Sequence, residues 1–282
     1  MFKMSSKMLN IRGKLMSLDT PVVMGILNVT PDSFFAKSRK QDEIAIAKRI
    51  EEIISEGGVF VDVGGYSSRP DAAEVTIEEE WERVEPALKI LRDDFPEIPV
   101  SIDTFRADIA RRAVEEYGVA MINDISGGAI DGKMFETVAD LNVPYVLMHM
   151  RGTPQTMRQY ADYGDVVEDV MMYFAEKTRA LRLSGVNDII IDPGFGFSKT
   201  LDQNYELIRH LNEFSMMLEC PVMVGISRKS MIYNLLDCTA EECLNGTTVL
   251  NTFALLNGAD ILRVHDVKAA AEAVEIICKL KS

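Results

Sequence analysis

Histidine and cysteine are both rare in this chain, with three and four among 282 residues. A barrel hydrolase built around a protein-held metal needs clustered histidines, often as HxH on its first strand. The first apolar run, VVMGILNV (22–29), has none. His149 lies between two methionines and reads as a packed residue, and His210 as a helix-surface one. None of Cys220, Cys238, Cys243 and Cys278 forms a CxxC pair. That removes the usual zinc and dithiol motifs and leaves free thiols suited to a reducing compartment. No stretch approaches the ~20 apolar residues of a membrane helix. The start, MFKMSSKMLNIRGK, lacks the apolar segment of a secretory signal. A cytoplasmic protein with no membrane partner is the expectation. Positive charge is also short: 30 Lys and Arg against 44 Asp and Glu give a net charge of −14. Such a surface repels polyanions, so no nucleic-acid partner is expected, although a local pocket can still take a small anion.

What is present is repetition. Short apolar runs recur, each ending in a polar or glycine-rich tip and followed by a helical pattern. They are VVMGILNV (22–29), VFVDVGG (59–65), PVSIDTF (99–105), MINDISGG (121–128), YVLMHM (145–150), IIIDPGFGF (189–197), PVMVGIS (221–227) and ILRVHDV (261–267). Amphipathic stretches such as 42–57 and 77–95 lie between them. Continuous apolar strands alternating with helices imply a parallel sheet buried on both faces. Eight such units predict an α/β chain folded as one (β/α)8 TIM barrel over 1–282, with 1–20 as an extension packed on the barrel. An open doubly wound sheet is the alternative, but no GxGxxG follows the first strand. No linker or low-complexity tract divides the chain.

In such a barrel the C-terminal strand ends form the active face. Here they carry Asn28, Asp62, Asp103, Asn123, Met148, Asp192, Ser227 with Arg228 and Lys229, and Arg263 with His265. Any one of these could be a cap or turn residue. Three aspartates closing three apolar runs are harder to explain that way, because a buried carboxylate without a partner is costly. Asp and Asn side chains suit the donor-rich edge of a heterocycle, and a fixed carboxylate can accept two parallel N–H bonds. Arg69, Lys229, Arg263 and His265 suit an anion. GGYSSRP (64–70) and SRKS (227–230), the latter leading into a helix, add hydroxyls and backbone N–H groups on that side. The pocket therefore fits a small molecule with a heterocyclic end and a phosphate end. The plainer reading of RVHD (263–266) is a packed His265 and an Arg263 paired with Asp266 or a helix end.

These tips resemble, in order, the signatures of the dihydropteroate synthases of the pterin-binding barrel family. The matches are MGILNVTPDSF (24–34), DVGGYSSRP (62–70), SIDT (101–104), INDISGG (122–128), LMHMRGTPQTM (147–157), DPGFGFSKT (192–200), GISRKSMI (225–232) and RVHDV (263–267). The resemblance implies a folate-biosynthetic transferase that is a target of sulfonamides. A dihydropterin carrying a hydroxymethyl diphosphate loses pyrophosphate with help from Mg²⁺, and the amine of p-aminobenzoate takes its place. Carried over by position, Asp103, Asn123, Met148, Asp192, Phe197, Gly225 and Lys229 would bind the pterin. Thr30, Asp32, Ser68, Arg69, Ser227, Lys229, Arg263 and His265 would serve the diphosphate and p-aminobenzoate. Asn28 would hold the metal. Lys229, Arg263, His265 and Asp103 would carry catalysis, the loop from Thr30 to Lys40 would close over the substrate, and two copies would pair as a homodimer.

Two loops depart from the family pattern. FAKSRK (35–40) replaces a glycine-bearing sequence, and Tyr66, Ser68 and Asp71 stand where Glu, Thr and Gly are usual. These changes bear on loop closure, p-aminobenzoate affinity and the sulfonamide response. Two rivals share the pterin logic. A methyltetrahydrofolate–corrinoid methyltransferase would not need the anion-suited tips. A pterin-binding paralogue without catalysis would not need Asn28, Lys229, Arg263 and His265 together.

Overall fold

The eight apolar runs form eight parallel strands in a computed structural model that describes residues 7–30, 39–69 and 74–281. A short antiparallel hairpin precedes them, β1 (Met8–Ile11) and β2 (Lys14–Ser17). The parallel strands are β3 (Val22–Asn28), β4 (Phe60–Gly64), β5 (Val100–Asp103), β6 (Met121–Asp124), β7 (Tyr145–Met148), β8 (Ile189–Asp192), β9 (Met223–Val224) and β10 (Ile261–Val264). Their spatial order is β8-β7-β6-β5-β4-β3-β10-β9. A parallel bridge between Ile191 and Val222, with the Ile191 N–H donating to Pro221 O at 2.9 Å, joins the two ends. The result is the expected (β/α)8 barrel.

The outer ring contains α1 (Arg39–Ser55), α2 (Ile77–Asp94), α3 (Ala107–Tyr117), α4 (Met134–Leu141), α5 (Val166–Leu183), α6 (Leu201–Arg209), α7 (Leu211–Leu218), α8 (Ser230–Leu236), α9 (Leu244–Leu256) and α10 (Val267–Lys281). Outward-facing strand residues such as Val61, Val63, Ile102, Ile122, Leu147, Ile191, Val224 and Leu262 bury against these helices in the main core.

Strand periodicity divides the lumen into layers, since alternate residues share a face. At the N-terminal ends, Met24, Phe60, Met121, Val146, Ile190, Met223 and Ile261 form an apolar floor that includes Leu9, Ile11 and Leu18 from the hairpin region. Two residues further along the same strand faces come Asp62, Asn123, Met148, Asp192, Gly225 and Arg263. In the rim register, Asn28 pairs with Gly64, Gly64 with Asp103 and Asp103 with Asn123. The lumen thus turns from apolar to polar toward its mouth. Lys7 fastens the chain ahead of β1 by donating to Asp260 at 2.6 Å and Ser215 at 2.8 Å.

The acidic run at 74–82 starts α2 through a capping box in which Thr76 accepts from the Glu79 N–H and Glu79 accepts from the Thr76 N–H. Glu80 departs from the simple helix-face reading. It is buried and accepts from Thr104 Oγ1 at 2.7 Å and from Arg106 Nη1 at 2.8 Å.

Candidate active site

The ion pairs that Arg263 makes at the mouth are ones the sequence did not indicate. Arg263 neither pairs with Asp266 nor extends alone toward an anion. Its Nε donates to Asp62 Oδ2 at 2.6 Å and its Nη2 to Asp103 Oδ2 at 2.6 Å. Asn123 Nδ2 donates to the same Asp62 oxygen at 3.0 Å. Asp62 Oδ1 is buried with no partner among the described residues. Asp62 closes an apolar run as Asp103 and Asp192 do, and by residue type it suits a heterocycle's donors equally, but its Oδ2 is taken by Arg263 and Asn123. Its work is to hold Arg263 and Asn123 at fixed spacing. Burial pushes the Asp103 carboxyl above its ordinary range, with Asp62 adding to the rise and Arg263 opposing it. The neighbouring carboxylates hold the Arg263 guanidinium above its ordinary value against the cost of burial. Asp266 pairs instead with Arg228, whose Nε and Nη2 reach it at 3.0 and 2.6 Å.

A second cluster forms beyond β8. Asp192 Oδ1 accepts from the Gly194 N–H at 2.8 Å. Gly194 lies at φ 70°, and a Cβ there would stand 2.0 Å from His149 O, so only glycine fits the turn. Lys199 returns beneath this turn and donates to Gly194 O at 3.0 Å and Phe197 O at 2.9 Å, and its Nζ lies 3.0 Å from His149 Nδ1. Burial lowers both groups, the Lys199 ammonium well below its usual range and His149 to about 2, so His149 is a neutral packed residue. His149 lies against the rings of Tyr163, Tyr173 and Phe174. Lys229 approaches the same turn from β9. Its Nζ donates to Phe195 O at 2.7 Å and stands 4.6 Å from the centre of the Phe197 ring. Burial lowers the Lys229 ammonium to about 8, with Asp192 opposing the shift. Asp192 itself is raised by burial and drawn back by Lys229. Gly225 leaves room between them: a Cβ there would lie 3.7 Å from Asp192 Oδ2 and 3.9 Å from Lys229 Nζ.

Phe197 and Met148 belong to an apolar cluster at the mouth with Phe105, Ile125, Met150 and Met157, and Tyr66 packs against it. A flat ring bound there would have apolar walls and two carboxyl-bearing edges. On the other side, Ser227 Oγ accepts from the His265 N–H at 3.2 Å and lies 3.1 Å from its Nδ1. Burial, with Arg263 and Arg228 nearby, lowers His265 to about 4, so its ring is neutral in the free protein at neutral pH. Asn28 Oδ1 faces the gap left by Gly64, 3.5 Å from where a Cβ would stand. Thr30 is buried, Ser68 half-buried and Arg69 exposed. Asp32 and most of the first loop lie outside the described residues, as does Asp71.

Residues 24–265 match the family model described as pterin binding enzyme. The chain is 40% identical to the dihydropteroate synthase of Escherichia coli K12 over 268 residues, which is 94% of each protein. It belongs to the dihydropteroate synthases. The Synechocystis synthase is 41% identical over 261 residues, covering 92% of this chain and 88% of that one. Among solved structures, the Xanthomonas albilineans dihydropteroate synthase with 4-aminobenzoic acid superposes with a TM-score of 0.90 at 36% identity, covering 99% of both chains. The Yersinia pestis dihydropteroate synthase in a sulfonamide complex gives 0.89 at 36% identity, covering 97% of this chain and 99% of that one.

Proposed function

We infer that this protein is a dihydropteroate synthase of folate biosynthesis. It condenses a dihydropterin methyl diphosphate with p-aminobenzoate and releases pyrophosphate. The observation that carries the reading is a single mouth that joins buried carboxyls, an apolar slot and cationic groups, in a chain similar to named synthases along nearly its whole length.

The site residues divide by chemistry. Asp103, Asn123 and Asp192 accept from or donate to the edge of the pterin, and Met148, Phe197 and the space over Gly225 receive its faces. Lys229 borders the ring, and its desolvated ammonium stabilises the negative charge that develops on the departing diphosphate. Arg263 uses two N–H groups on the carboxylates and keeps the others for the diphosphate. His265 starts neutral, and an approaching anion favours its protonation. Thr30, Ser68, Arg69 and Ser227 serve the diphosphate and p-aminobenzoate, as would Asp32, which lies outside the described residues.

Among the described residues no group of His, Cys, Asp and Glu forms a metal cage. A single amide oxygen from Asn28 suits Mg²⁺, a hard cation that is commonly held through substrate phosphates and a few protein oxygens. When bound, it would neutralise charge on the departing pyrophosphate. A homodimer is supported by exposed apolar side chains on adjacent helices, including Leu235 and Leu236 on α8, Val249 and Leu256 on α9, and Ile276 and Leu280 on α10. Such a patch is unusual on a free surface. No helix among the described residues is long and apolar enough to cross a membrane. With the free cysteines and small-molecule substrates, this fits a cytoplasmic enzyme.

The deciding assay mixes pure protein with the dihydropterin diphosphate, p-aminobenzoate and Mg²⁺, with and without EDTA. The expected result is metal-dependent formation of dihydropteroate and pyrophosphate in equal amounts. Pterin binding with neither product would overturn the reading in favour of a binding subunit.

A further inference from the structure

Tyr66 and Gln155 come from loops that follow different strands, β4 and β7, and they meet across the mouth. Gln155 Nε2 donates to the Tyr66 hydroxyl at 2.8 Å. The Tyr66 ring meets Phe105 edge to face, with centroids 4.9 Å apart and planes at 80°. The Arg106 guanidinium stands 5.6 Å from the Tyr66 ring centre. Arg106 is itself fixed, donating to Thr76 O and Glu80 Oε2 at 2.8 Å each and to Val75 O. Just before Tyr66, Gly65 O accepts from Arg83 Nη1 at 3.1 Å. The backbone at 65–66 is therefore held from three sides, and Ser67, Ser68 and Arg69 follow directly.

We propose that Tyr66 and Gln155 are a positioning pair for the acceptor substrate, holding residues 67–69 beside the apolar slot before p-aminobenzoate arrives. The proposal rests on reading the site as a dihydropteroate synthase. A loop ordered in advance loses less conformational freedom on binding, so the benefit falls on the ligand that the loop touches. Asp103, Asn123, Asp192 and Lys229 are carried by strand ends and the β9–α8 loop and make none of these contacts. The pair therefore acts more on the amine substrate than on the pterin, which it meets only through the apolar cluster of Met148 and Phe197.

The test compares wild type, Tyr66→Phe, Gln155→Leu and the double variant. Phenylalanine keeps the ring contacts and removes only the hydroxyl, and leucine removes the donor at similar volume. Each single change should raise the KM for p-aminobenzoate roughly three- to tenfold, the worth of one net hydrogen bond. The double variant should match the singles, because both remove the same contact. The KM for the dihydropterin diphosphate should rise by a smaller factor, since Ser68, Arg69 and the apolar cluster beside Tyr66 border both substrates while the buried carboxyls and Lys229 make none of these contacts. Thermal melting checks that each variant is folded, and Tyr66→Ala, which also loses the ring, should raise the p-aminobenzoate KM further. An unchanged p-aminobenzoate KM, equal rises for both substrates, or additive effects would each overturn the pair. Absence of dihydropteroate from wild type would overturn the functional reading, whereas wild-type turnover with unmoved KM values would overturn the pair alone.

Discussion

Replacing Asp62 by asparagine should damage stability and pterin binding together. Asp62 is fully buried, and one of its oxygens accepts from both Arg263 at 2.6 Å and Asn123 at 3.0 Å. At that separation the gross attraction to the guanidinium is on the order of 6 kcal/mol for an effective dielectric near ~20. Most of it is offset by the cost of removing both charges from water. Deleting one partner leaves the other buried and undercompensated, which costs about 3–5 kcal/mol. Asparagine keeps the volume and one acceptor, and Arg263 keeps Asp103, so the lower end applies, about 3 kcal/mol. For a chain of this size that lowers Tm by roughly 6–12 °C. The new amide also places N–H groups where Asp62 Oδ1 now has no partner among the described residues. Asn123 loses its charged acceptor, and Arg263 leans on Asp103 alone, so Asn123 and Asp103, both proposed to face the pterin, shift. Pterin affinity should fall at least about tenfold, near 1.4 kcal/mol. Differential scanning calorimetry and pterin titration on Asp62→Asn measure both effects. A Tm within about 2 °C of wild type with unchanged pterin affinity would refute the argument that Asp62 organises the site.

His265 sits near 4 in the folded protein and near ~6.5 when unfolded. Between those values the unfolded chain binds a proton that the folded chain refuses, so stability falls as pH drops through that window. Urea unfolding at stepped pH should show a shallower acid loss in His265→Asn, and an identical slope would contradict the shift. Lys199→Met should cost about 2–4 kcal/mol by stranding the carbonyls of Gly194 and Phe197 and should weaken pterin binding, because Phe197 loses its support. Unaltered pterin affinity would show that the Phe197 loop stands without the ammonium. Val249→Glu with Ile276→Glu should convert a homodimer to monomers in sedimentation equilibrium, since both side chains are more than half exposed on α9 and α10. A monomeric wild type would end the dimer proposal.

The sequence by itself determined the architecture. Eight apolar runs with polar tips require parallel strands covered on both faces, and the period of two on those strands requires that Asp62, Asn123, Asp192 and Arg263 share the lumen side with the apolar floor beneath them. It also placed the candidate chemistry at one end, because each charge comes at the close of its run. What it could not show is which charges meet. Arg263 and Asp62 are 201 positions apart, and their contact depends on β10 and β4 flanking β3 in the closed ring. Local spacing pointed Arg263 toward Asp266 or an anion, yet Asp266 belongs to Arg228. The protonation of His265 followed the same division: its residue type suggested a cation, and burial beside Arg263 made it neutral. Tyr66 stood out in the sequence as a departure from the family pattern, but its contact with Gln155 had no linear signal, since a hydrogen bond between two loops exists only once the barrel brings their strands around one mouth.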